Sequence, residues 1–188
     1  MLFSFNRHKT PKEIPTAWEE LTLQQSFDLE GLVDRLEMYS IITKIPLKDL
    51  DAMKGDEMAI YSATQFLTSP PDWGKLPKPK AIHVNGKRCR IPKIAKETLG
   101  QKVIISSLIA SESDLHVLIP KVVAVYVQPA YTGGKFDRDK LKEVEGHLLQ
   151  SSCVEVYAAA WFFFLKSTNL MKFGTLGWRQ GNRTKSPN

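Results

Sequence analysis

The chain has 188 residues, 43% of them apolar and 24% charged, a composition that can bury its own core and excludes fibrous and disordered classes. Two cysteines, Cys89 and Cys153, are too few for a disulfide scaffold and lack zinc-type C-x-x-C spacing, so they read as reduced thiols in a cytoplasmic setting. The formal charge of +6 is read from the tails (Arg7, Lys9, Lys12, Arg179, Arg183, Lys185) as plain solubility, with nucleic acid or an acidic protein surface as the functional alternative.

The opening, "MLFSFNRHKTPKEIP", lacks the uninterrupted apolar stretch of a secretory signal, and residues 1–13 read as an N-terminal arm. In "IPTAWEE", Thr16 with Glu19 predicts a capping box over a single turn, and Thr22 with Gln25 predicts a second one. Leu23, Phe27, Leu32, Leu36 and Tyr39 then recur at helical spacing, with Gly31 as the place where this helix divides in two. Pro46, Leu47, Leu50 and Met53 predict a turn and a short helix. "DEMAIYSATQFLTS" predicts another, capped by Asp56. Residues 14–68 thus form an N-terminal helical half.

Residues 69–80, "SPPDWGKLPKPK", carry four prolines and one glycine, which excludes regular structure and marks a linker. The strongest β signal follows: "AIHV" and "KRCRI" flank Asn85-Gly86, the pair suited to a type I′ hairpin turn. A lone hairpin is marginal in water, so it must lie against helices or a partner. Next, Thr98 and Gln101 repeat the Thr-x-x-Gln box. Asp114 or Ser113 caps a segment that Pro120 kinks and Pro129 ends, and its β-branched run 122–127 is read as helix. "AYTGGKFD" is a Gly-rich loop, Asp137 caps "RDKLKEVEGHLLQ", and "SCVEVYAAAWFFFLKSTNLMKFG" is a long buried helix. Its apolar run at 158–165 is eight residues long, far short of the roughly 20 that span a bilayer, so no membrane partner is expected. Residues 81–172 form the hairpin plus a C-terminal helical half, and 173–188 a tail. The fold class expected is mainly α, or α+β: a helical body of two halves around one central hairpin, with extended terminal arms. The two Thr-x-x-Gln boxes lie 76 residues apart, placing Leu23 on Leu99, Leu29 on Ile105 and Leu32 on Leu108 as a short internal echo.

Chemistry is sparse. His8, His83, His116 and His147 have no metal-ligand spacing. His83 and Cys89, across the turn, are a conceivable nucleophilic pair, although the flanking Lys87, Arg88 and Arg90 suit a solvated hairpin equally. Tyr131-Thr132-Gly133-Gly134-Lys135 lacks the spacing of a phosphate-binding loop. The carboxylate pairs Glu19/Glu20, Asp49/Asp51 and Glu143/Glu145 suit solvated faces. No catalytic residue, metal or cofactor is therefore expected. Trp73 and Trp178 lie in segments unable to build a core and need a place to bury their rings, a partner protein being one. The aromatic run 161–164 is core, or an oligomer contact on one flank.

The order of "IPTAWEELTLQQ", "MYSIITKIPLKDL", "IHVNGKRCRI", "TLGQKVI" and "KVVAVYVQP" resembles small proteins encoded among the structural genes of tailed bacteriophages and related prophages, particularly of Bacteroidetes-type hosts. The resemblance covers residues 14–170. It implies a non-enzymatic virion component or an assembly factor such as a tail assembly chaperone. Such a protein would work in the host cytoplasm during assembly or be incorporated into the particle, and would contact other phage structural proteins or its own copies in an oligomer or ring. The contacts are expected at Phe3, Phe5, Trp178 and Arg179 in the arms, at Trp73 in the linker, and at Arg88 and Arg90 on the hairpin edge. The alternative is a basic nucleic-acid-binding accessory protein acting on, or packaged with, the phage genome.

Overall fold

A computed structural model describes residues 14–51, 57–92 and 97–166. Two of its helices open on the same chemistry. Thr22 caps α1 (Leu23–Asp28): its hydroxyl accepts from the Gln25 N–H at 3.1 Å, and Gln25 Oε1 accepts from the Thr22 N–H at 3.0 Å. Thr98 and Gln101 repeat the exchange at the head of α5 (Leu99–Ser111), at 3.2 and 2.9 Å, so that each box satisfies two donors a helix start leaves unpaired.

Both glutamines do more than cap. Gln25 Nε2 donates to the carbonyls of Ile41 and Ile42, at 2.9 and 3.3 Å, near the end of α2 (Arg35–Thr43). Gln101 Nε2 donates to Val125 C=O at 2.9 Å, inside α6 (Leu115–Thr132). The Ile41 and Ile42 carbonyls are among those a helix end leaves unpaired, since α2 stops at Thr43 with Lys44 left-handed, whereas Val125 lies four residues ahead of Pro129, whose ring removes the helical donor. This corrects the expectation that Pro129 ends its helix. Gln101 supplies the bond that Pro129 cannot, and α6 runs on to Thr132, stopping where Gly133 turns left-handed (φ +72°) and its N–H bonds back to Pro129 C=O.

Elsewhere the local signals act as expected, with one shift. The first helix divides at Gly31 (φ +78°), and α2 restarts with Asp34 accepting from the N–H groups of Leu36 and Glu37 at 2.7 and 3.1 Å. α3 (Leu47–Asp51) and α4 (Glu57–Thr64) follow, and Asp56 lies outside the described residues. The predicted Thr16–Glu19 box is instead Thr16 with Glu20, whose Oε2 accepts from the Thr16 N–H at 2.6 Å. The cap of the 3-10 turn Trp18–Glu20 is Ala17, which makes Glu20 its third residue. Asp114 caps α6, while Asp137 caps a 3-10 turn that leads into α7 (Leu141–Leu149). α8 (Cys153–Lys166) is the last described helix. β1 (Ala81–Val84) and β2 (Lys87–Arg90) are the two strands among the described residues, an antiparallel hairpin turning at Asn85 (φ +48°) and Gly86 (φ +72°).

The described residues are mainly helical with a single hairpin, and one core joins both halves. α6 lies at its centre with Leu118, Ile119 and every residue from 122 to 128 buried, its valines helical despite their strand preference because that helix is enclosed on every side. α8 packs on α6, α1, β1 and the Trp18 and Trp73 turns. The start of α8 also pairs with the start of α1: Leu23 N–H donates to Ser151 C=O and Cys153 N–H to Leu21 C=O, both at 2.9 Å, in an antiparallel bridge of Thr22 with Ser152. Among the described residues no helix is long and apolar enough to cross a membrane.

Candidate functional site

The Asn-Gly turn sets the hairpin register, and the register sets its two faces. Ile82 stands opposite Cys89, His83 opposite Arg88, and Ala81 opposite Arg90. Because side chains alternate along a strand, Ile82, Val84 and Cys89 point inward and are wholly buried, while His83, Arg88 and Arg90 are exposed. The hairpin is pinned from below as well. Glu155, on α8, accepts from the His83 backbone N–H at 2.7 Å and sits 3.0 Å from its ring Nδ1, and the Lys87 ammonium donates to Tyr131 C=O.

This register separates the conceivable nucleophilic pair, since His83 and Cys89 lie on opposite faces. Burial raises the Cys89 thiol above its ordinary range, although the Lys87 ammonium lowers it in part. The other thiol, Cys153, donates to Trp18 C=O at 3.0 Å, and burial pushes its pKa up to about 12. A thiol that stays protonated and enclosed is a small core side chain, not a nucleophile. The Gly-rich segment is likewise the end of a helix: Tyr131 and Thr132 close α6 and Gly133 caps it. Of the carboxylates, Glu20 holds Thr16, and Glu143 faces Lys140 at 3.5 Å.

Trp73 finds its burial place inside its own chain. Its ring lies 4.3 Å from Tyr157 and meets Trp18 edge-on at 5.6 Å, while Trp18 donates its indole N–H to Phe66 C=O at 3.1 Å. A side chain at Gly74 would meet the Trp161 ring at 3.5 Å, and Lys78 sits 3.9 Å over Phe162. The Pro-rich linker therefore lies along α8, and the half-buried Trp161 and Phe162 are covered in part by it. Phe3, Phe5, Trp178 and Arg179 lie outside the described residues.

One feature was not singled out by sequence, and a second only in part. On α5, Leu99 and Val103, four apart on one helical face, are 78% and 60% exposed, although the opposite face of the same helix buries Gln101 and Ile105. At the 76-residue offset Leu99 matches Leu23, which is fully buried beneath the start of α8. The second feature is where the charge lies. Between Trp73 and Lys96 stand Lys75, Lys78, Lys80, Lys87, Arg88, Arg90, Lys93 and Lys96, with no Asp or Glu. Removing these eight from the 26 basic residues leaves 18 against 20 acidic ones, so the chain outside this segment is −2. A segment-by-segment charge count locates a positive excess at the hairpin as well as in the tails, where Arg7, Lys9, Lys12, Arg179, Arg183 and Lys185 stand against Glu13 alone.

Comparison with protein-family profiles, with curated proteins and with solved structures returned no match.

Proposed function

We propose that this chain is a non-enzymatic structural or assembly protein of a tailed phage, working through protein–protein contact at the outer face of α5. The observation that carries the contact is the pair Leu99 and Val103. In the helix-opening phrase of the other half the matching leucine, Leu23, is covered by α8, whereas Leu99 stands in solvent. Large apolar side chains held outward on an ordered helix cost solvation unless a partner removes them from water. The phage context rests on the ordered short motifs over residues 14–170.

Two measurements test this reading. Mass spectrometry of purified phage particles, and of complexes isolated from infected cells, should find the chain with other structural proteins. Cross-links should fall on α5, at Lys102. The double substitution Leu99→Asp/Val103→Asp should abolish that association while changing folding stability by no more than about 0.5–1 kcal/mol, because both positions are surface. Absence of the chain from particles and from every complex with phage proteins would overturn the proposal.

A further inference from the structure

We propose that the outer face of the hairpin binds the sugar–phosphate backbone of a nucleic acid, independently of the α5 contact. The face is a two-stranded ribbon bearing Arg88 and Arg90, with His83 directly across from Arg88, and exposed Lys80 stands beside it at the foot of β1. Arg88 and Arg90 are two residues apart on one strand, so their side chains leave the backbone on the same face about 7 Å apart. Among the described residues Glu155 is the carboxylate bonded to this hairpin, and it is engaged by the backbone and ring of His83. Lys75 is paired with Asp72 at 2.8 Å and Lys78 is over Phe162, so the cations left to meet a ligand centre on Lys80, Arg88 and Arg90.

A polyanion fits this face better than a protein does. Protein interfaces gather around buried apolar anchors, and the outward hairpin positions offer only Ala81, His83, Arg88 and Arg90. The nearest candidate anchor, Trp73, is turned into the body against Tyr157. A ribbon of this kind also has the dimensions that a DNA major groove admits. Its mounting is rigid, with Ile82, Val84 and Cys89 each at zero exposure beneath it, so binding would not first have to order the loop. Two arginines and a histidine make no extended pattern of base-edge readers, so the binding should depend little on sequence and be dominated by phosphate contacts.

The test uses the full chain and a fluorescein-labelled, mixed-sequence DNA duplex, with anisotropy titrations over a range of salt. Binding at low salt should weaken on salt addition with a log–log slope of about −3, one unit for each cation engaged. Arg88→Ala/Arg90→Ala should reduce that slope by about two and weaken low-salt binding at least tenfold, with unchanged far-UV circular dichroism. Lys48→Glu on α3, exposed in the other half of the molecule, should shift affinity far less. The proposal is overturned by no binding at low salt, or by an Arg88→Ala/Arg90→Ala slope equal to that of the parent chain. It is also overturned if sedimentation shows these substitutions dissolving a salt-sensitive oligomer while DNA binding is unaffected, which would assign the face to an acidic surface of another copy. The Leu99→Asp/Val103→Asp chain should bind the duplex normally, so the two proposals fail separately.

Discussion

At the residue scale, Cys153 shows how burial converts a reactive group into a structural one. Its thiol is fully enclosed, donates to Trp18 C=O, and has its pKa raised from 9.0 to about 12. In the unfolded chain the thiol ionises near 9 and in the folded chain near 12. The folded state therefore holds the proton more tightly, so this group's stabilisation is complete below pH 9 and is lost as pH rises towards 12. Denaturant melts of the parent and of Cys153→Val should diverge over that window, the parent losing stability more steeply with pH. A thiol reagent at pH 8 should label native Cys153 only at the rate of unfolding. Equal pH dependence in the two chains would show that the ionised thiol is tolerated in the fold.

At the element scale, the telling case is the Gln101–Pro129 pair. Gln101→Ala leaves Val125 C=O without its donor in a buried helix and should destabilise the fold by about 1–3 kcal/mol. Pro129→Ala restores an N–H at the position that bonds this carbonyl. The double substitution should therefore recover part of the loss, a coupling of about 0.5–3 kcal/mol measured by a double-mutant cycle. Strict additivity would mean that the two residues are not coupled through Val125. The same pair marks the boundary of what could be read locally. The Thr-x-x-Gln boxes, the Asn-Gly turn, the divide at Gly31 and the Asp114 cap all lie within a few residues of what they control, and each was legible. Helix continuation through Pro129 depends on a side chain 24 positions from the carbonyl it satisfies, and a local reading of proline predicts a stop.

At the scale of the whole molecule, the two halves are tied by α8. Leu21 and Leu23 are wholly buried, and the backbone facing them belongs to residues 151–153. A fragment carrying only residues 1–72 should therefore lack a cooperative thermal transition, while the full chain melts as one unit. A fragment that melts cooperatively would show that the N-terminal half carries its own core. The site was less legible than the fold. Whether a ring such as Trp73 is anchored within its own chain or on a partner depends on which surface reaches it, and Tyr157 lies 84 residues away. Leu99 and Leu23 are indistinguishable by spacing, and only the packing of α8 over one of them makes the other a candidate contact.

The bridge of Thr22 with Ser152 also sets an order of events during synthesis. The residues that cover Leu21 and Leu23 are made 130 positions after Thr22, a wait on the order of 10 s at roughly 5–20 residues per second. Throughout that interval the nascent N-terminal half shows the cytosol an apolar surface that nothing yet translated can cover. Yield should therefore depend on the capacity of the cell's holding chaperones more than on the equilibrium stability of the finished fold.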